Sequence, residues 1–196
     1  MKVSINQEQE QFIDNTIEKL DGWWKQATEA IYQQRQLIQY VELDGNLYYD
    51  GYEQYIIENV NRIKEINICT LSKWESIQDT ERSIVEYLDR FIPAGQDASI
   101  QFFGEIKAEQ HNIFAQFIDG LSWIVSALEF NRILYKEVGI SQPEYLTTMD
   151  SLDEIISGIY ENVQRDDYIA IGDIIQYEIV PLMQEIQKKM KKSELS

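Results

Sequence analysis

The most apolar helical run in the chain lies at residues 114–134, FAQFIDGLSWIVSALEFNRIL. Phe114, Phe117, Leu121, Ile124, Leu128 and, one residue further, Tyr135 recur at three- and four-residue steps, which stacks them on one face of a helix. Ile118 and Val125 widen that face beyond a coiled-coil seam, so this helix is expected inside a bundle, covered by others. Gly120 and Trp123 read as packing devices. Asn131 falls on the same steps, where a buried polar group needs a partner.

A second periodic run occupies residues 5–34: Phe12, Ile13, Ile17, Leu20, Trp24, Ala27 and Ile31. Ser4 and Gln7 have the spacing of a capping box at its start. Gly22 interrupts it, at a cost of about 1 kcal/mol relative to alanine, which points to close packing beside Trp23 and Trp24. The period then changes. QLIQYVEL (36–43) roughly alternates and is rich in β-branched and aromatic residues. Asp44-Gly45 is a hairpin-turn signal, with LYY (47–49) as the return strand. Residues 52–63 predict a short helix with Tyr52, Tyr55, Ile56, Val60 and Ile63 on one side, and EINICTL (65–71) a third strand. The alternative is that 35–43 continues the preceding helix.

Helical patterning resumes at Ser72, which forms a capping-box spacing with Glu75. Trp74, Ile77, Ile84, Leu88 and Phe91 mark its buried face, and Pro93 with Gly95 predicts an end or a bend. Residues 98–112 turn Ile100, Phe103 and Ile106 inward and could run unbroken into the central helix, which Gly139 stops. Ser141, Pro143 and Glu144 predict the start of the next helix, faced by Leu146, Met149, Leu152, Ile156, Ile159 and Val163. The short link at 165–167 makes the last helix, 168–191, its antiparallel neighbour. Ile171, Ile175, Ile179, Leu182 and Ile186 face inward there, and the terminal lysines suit the helix dipole. Pro181 breaks the rule: it lacks a backbone donor and clashes at Tyr177, predicting a kink. Asp173, Tyr177 and Glu178 share a polar edge with it.

These elements predict a mainly α fold. It is an antiparallel bundle of four to five helices, with a small β-hairpin-containing (β-β-α-β) insertion near residues 36–71 packed on it. The whole, 1–196, is expected to be a single domain.

Charge and chemistry narrow the function. Seventeen basic against 34 acidic residues give a net charge of −17, which repels phosphate backbones and anionic membranes. No nucleic-acid or membrane partner is expected. A basic protein partner would be steered in. One cysteine, Cys69, excludes a disulfide framework and fits a cytoplasmic setting. His111 is the sole histidine, so neither a Glu-x-x-His pair set nor a structural zinc site can be built. No glycine-rich phosphate loop occurs. His111 reads as a surface residue and Cys69 as a buried thiol. No catalytic residue, metal or cofactor is expected.

Three segments carry a resemblance: the hairpin with DGYEQYIIENVNRI, FAQFIDGLSWI, and DDYIAIGDIIQYEIVPLM, with DIIQYEIVPL (173–182) the most distinctive. Residues 36–186 resemble a family of small acidic bacterial proteins of unassigned function. The resemblance implies a helical, cytoplasmic, bacterial protein and brings no catalytic residues.

The function expected is a non-enzymatic protein-interaction or adaptor module. Its candidate surface is Tyr48, Tyr49, Tyr52 and Tyr55, aromatic groups with polar tips, together with Asp173, Tyr177 and Glu178. The alternative is a small-molecule binder or enzyme with a pocket lined by carboxylates and aromatics. A homodimer completing the bundle is a further option.

Overall fold

The computed structural model describes residues 1–103 and 108–193. The protein is mainly α, with one five-stranded mixed sheet. Its contacts divide it into two compact units, Met1–Ser76 and Ile77–Ser196.

The first unit opens with strands, where a helix over 5–34 is expected. β1 (Lys2–Ile5) and β2 (Glu8–Phe12) form a hairpin, and α1 (Ile17–Gln33) follows. Ser4 is buried in a strand rather than capping a helix, and its hydroxyl donates to Asn67 Oδ1 at 3.0 Å. Asn6 and Gln7 take positive φ, 52° and 59°, and make the hairpin turn. β2 is exposed throughout, so its polar residues give no periodic signal. Thr16 is the cap of α1, accepting from the Lys19 amide at 3.3 Å. The buried face is Leu20, Trp23, Ala27 and Ile31. Gly22 has open space where a Cβ would stand, so close packing does not explain it.

The segment 36–72 has the expected order: β3 (Gln36–Leu43), β4 (Asn46–Tyr48), α2 (Tyr52–Asn59) and β5 (Glu65–Ser72). Asp44 and Gly45 take φ of 48° and 84° at the turn. The Asp44 carboxylate also accepts from the amides of Lys64 and Glu65 at 2.9 and 2.8 Å, tying the turn to the start of β5. The segment is not a self-contained insertion. β1 joins β5 in parallel, and the sheet order is β2-β1-β5-β3-β4. Val3, Val41, Leu43, Ile66 and Ile68 cluster with the buried residues of α1 and α2 as one core.

α3 (Lys73–Gln101) carries the expected capping box: the Glu75 amide donates to Ser72 Oγ at 3.2 Å, and Glu75 Oε2 accepts from the Ser72 amide at 2.9 Å. The Ser72 hydroxyl, donating to Glu75 Oε2 at 2.7 Å, and then the Ser72 amide hold the Glu75 carboxyl below its usual range. Trp74 is exposed, off the predicted buried face. The helix passes through Pro93 without ending. Gly95 sits where a Cβ would lie 3.0 Å from Val180 and 3.1 Å from Phe117. A single helix through 98–136 does not form: α3 closes at Gln101, Phe102 and Phe103 make a turn, and α4 (Ala108–Val138) follows. Ile100 and Phe103 face out and Phe102 faces in. Ile106 lies outside the described residues.

α4 buries Phe117, Leu121, Ile124, Leu128, Asn131 and Tyr135, the predicted face, while Phe114 is only half-buried. Among the described residues it is the one helix long and apolar enough to cross a membrane by length and composition. Gly139, at φ 76°, ends it. Ser141 does not cap α5 (Glu144–Thr148): Pro143 stands at that position with no side-chain bond. After a 3-10 turn come α6 (Leu152–Gln164), α7 (Tyr168–Ile174) and α8 (Val180–Ser193). Asp167 caps α7, accepting from the Ala170 amide at 3.1 Å. Gly172 packs against the Ser99 carbonyl and the Phe102 Cβ. Lys191 and Gln187 both reach Asp89 at 2.9 Å.

Candidate interaction surface

α1 and α2 offer matching helical steps to one groove. Ile17, Leu20, Asp21 and Trp24 line it from α1, and Glu53, Ile56, Ile57 and Val60 from α2 and the residue after it. The volume is about 250 Å³. Leu20, Ile56 and Val60 are its buried floor, whereas Ile17 and Ile57 stand 57% and 60% exposed at its mouth. The charged side chains in the lining are acids, Asp21 and Glu53; Asp21 is held by Lys25 at 2.7 Å.

The four candidate tyrosines divide across the sheet. Tyr52 packs on Trp24, ring centroids 5.9 Å apart, and so adjoins the groove. Burial pushes its phenol pKa up. Tyr48 and Tyr55 pack with tilted rings, centroids 4.9 Å apart, and their hydroxyl contact raises the Tyr48 pKa. Tyr48 is the register partner of Val41 and shares its face. Tyr49 packs instead on Tyr40 at 5.6 Å, on the opposite face. There Tyr40 bonds Cys69, whose sulfur also accepts from Asn67 Nδ2 at 3.2 Å. Cys69 is half-buried among polar groups rather than fully buried.

In the second unit, Asp173, Tyr177 and Glu178 are exposed. Asp173 precedes, and Tyr177 and Glu178 lie within, a π-helical turn, Ile175–Ile179, in which the Val180 amide donates to the Ile175 carbonyl five residues back. This wider turn immediately precedes Pro181, where the sequence predicts a kink. Beyond it Met183 is buried where Leu182 was predicted, and Ile186 is buried as predicted. These three residues belong to the second unit and the four tyrosines to the first.

Two features were not legible from spacing. The first is a buried polar cluster. Tyr135 and Tyr145 both donate to Glu81 Oε1, at 2.9 and 2.6 Å. Burial first, and then the Glu81 bond, hold both phenols protonated far above their usual range. Asn131, fully buried, donates to the Ile77 carbonyl at 3.4 Å and leaves its Oδ1 without a partner. The second is a shallow groove between α3 and α4 of about 260 Å³, lined by Tyr87, Arg90, Phe91, Ala98 and Phe117 among others. Arg90 lies 5.6 Å over the Tyr87 ring. His111 is exposed and meets Tyr168 edge-on. Among the described residues no group of three or more His, Cys, Asp or Glu side chains could hold a metal.

A model of one protein family, described as a domain of unknown function (DUF8042), matches residues 79–189. The chain belongs to that family. The DUF8042 match spans the Glu81–Tyr135–Tyr145 cluster, the α3–α4 groove and the π turn, while the α1–α2 groove precedes it. Searches of curated proteins and of solved structures give no match.

Proposed function

We propose that this chain is a non-enzymatic protein-interaction module, acting in the cytoplasm, whose docking surface is the α1–α2 groove. Its partner is a basic amphipathic helix. The observation that carries this reading is the make-up of the groove: an apolar floor, two exposed isoleucines at the mouth and acids in the lining. A helix laid in such a groove inserts anchors spaced three, four and seven residues apart. Lysines or arginines beside those anchors would meet Asp21 and Glu53, and a net charge of −17 would speed their approach. Tyr52, Tyr48 and Tyr55 extend the contact area beyond Trp24. In this reading the helices of the second unit form the antiparallel bundle that the sequence predicts. Phe91 stacking on Phe117 and Tyr87 packing on Trp123, both at 4.8 Å, support that direction for α3 and α4.

The test is a titration of the full chain with a labelled 18-residue peptide carrying leucines at those spacings and lysines elsewhere. Binding in the micromolar range, weakening as salt rises, is expected. Ile57→Glu should weaken it at least tenfold with the circular dichroism unchanged. Equal binding to both proteins would sink the reading.

A second reading, a small-molecule binder, draws on the α3–α4 groove. At about 260 Å³ that groove falls just below the ~300–1,000 Å³ of ligand pockets, and it is open along one side. The first reading is therefore preferred.

A further inference from the structure

The β1–β2 hairpin is not a regular ladder. Val3 pairs with Gln11 and Ile5 with Glu8, so Gln9 and Glu10 both stand opposite Ser4. This is a β-bulge, and Gln9, a non-glycine residue, sits in it at φ 47°. One extra residue exchanges the faces on its far side. In a regular pairing Glu8 would share the outer face with Glu10. With the bulge it joins Gln11 on the face that Val3 turns to the core, over α1. Bulges that re-aim a side chain in this way recur beside functional sites.

The carboxylate so turned lines a pocket of about 150 Å³ between the hairpin and the C-terminal half of α1. Trp23 and Ile31, both buried, give it an apolar wall, and Gln9, Gln11 and Gln34 contribute polar groups. Glu8 brings the charge. Among the described residues no lysine or arginine lines the pocket, and no cation pairs with Glu8. Glu10, on the other face, is held by Lys2 at 2.9 Å. Gln34 is the C-cap of α1, at the negative end of the helix dipole, and the last turn of that helix has no basic residue.

We infer that this pocket is a binding site for a small primary alkylammonium ion. The inference is separate from the α1–α2 groove and does not rest on it. Charge selects the ligand's sign. An unpaired carboxylate and a helix C-terminus both favour a cation, and a net charge of −17 raises the local concentration of cations. Size selects its bulk. A volume of about 150 Å³ is that of a cavity that takes benzene, well short of a drug-sized pocket, so the ligand has roughly four to six non-hydrogen atoms. Donor count selects the head group. An ammonium has three N–H donors and no acceptor, which suits the Glu8 carboxylate and the side-chain oxygens of the glutamines. The alkyl chain lies against Trp23 and Ile31, whose surfaces it removes from water. A neutral or anionic molecule of the same size would leave Glu8 without a counter-charge.

An NMR titration of the nitrogen-15-labelled full chain with n-butylammonium chloride tests this, at physiological salt so that diffuse attraction is screened. The Gln9 and Gln11 amides and the Trp23 indole N–H should shift saturably. The expected Kd is on the order of a millimolar, within what about five non-hydrogen atoms can supply. Neutral 1-butanol, of nearly the same shape, should give no saturable shift at these groups. Glu8→Gln should raise Kd at least tenfold. Glu10→Gln makes the same change of charge on the same strand and should leave Kd within twofold. Both positions are exposed, so the free variants should keep the wild-type spectral dispersion. Absence of a saturable shift, or equal binding of 1-butanol, overturns the proposal. So does equal weakening by the two substitutions, which would show the cation gathered by overall charge rather than held in this pocket.

Discussion

Glu81, Asn131, Tyr135 and Tyr145 show what a single hydrogen bond can commit a protein to. One carboxylate oxygen accepts from two buried phenols, and each phenol binds its proton more tightly folded than unfolded. A pKa raised by folding means stability that is complete below the unfolded value, near 10 for tyrosine, and lost as pH climbs above it. Each phenol then costs roughly 1.4 kcal/mol per pH unit. Chemical denaturation across pH 9–12 should show stability falling from about pH 10 with at least two phenols' slope, since Tyr40, Tyr48 and Tyr52 are raised as well. Tyr145→Phe should remove one phenol's share of that slope. It should also cost about 1–3 kcal/mol at neutral pH, because Glu81 loses a donor in a partly buried site. A slope unchanged in Tyr145→Phe would show that the phenols titrate normally.

Between residue and fold, two glycines make a matched pair. At Gly120 of α4, a Cβ would stand 2.5 Å from the Tyr87 hydroxyl and 3.2 Å from the Phe91 ring. Gly120→Ala should destabilise by about 1–3 kcal/mol, since α3 and α4 must part or Tyr87 must leave. Gly22→Ala on α1 meets nothing and should stabilise by up to about 1 kcal/mol through helix propensity. Thermal melts of the two variants should move in opposite directions. The pair also marks what the sequence could express. Helical steps identified α4's inner face down to Asn131, and alternation plus Asp44-Gly45 identified the β3–β4 hairpin. Periodicity reports phase, however, not cover. It placed Ile17, Leu20, Trp24, Ile56 and Val60 of the groove on inward faces, but could not tell that Ile17 and Ile57 lack a neighbour. It missed the β1–β2 hairpin because β2 is polar on both sides and Phe12, 81% exposed, mimicked a helical step. It slipped by one at Trp23, and again at Met183, just after the π turn.

For the molecule as a whole, the informative feature is the order β2-β1-β5-β3-β4. β5 is the last strand in sequence and the middle one in space, bonded to β1 in parallel and β3 antiparallel. The two hairpins on either side of it make no ladder with each other. A chain ending at Ser76 should therefore melt cooperatively with strand and helix signals. One ending at Lys64, only twelve residues shorter, should show neither a transition nor a sheet. Cooperative melting of the shorter chain would contradict the central role of β5.

That arrangement sets a timetable for synthesis. A ribosome delivers residues in sequence, and the first unit's sheet cannot close until the segment 65–72 is free to pair. Until then Val3, Val41 and Leu43 have no sheet to share, and both hairpins wait with open edges. The polar β2 and the acidity of the early chain are then protection for an interval, keeping a half-made protein from its neighbours while its keystone strand is still being written.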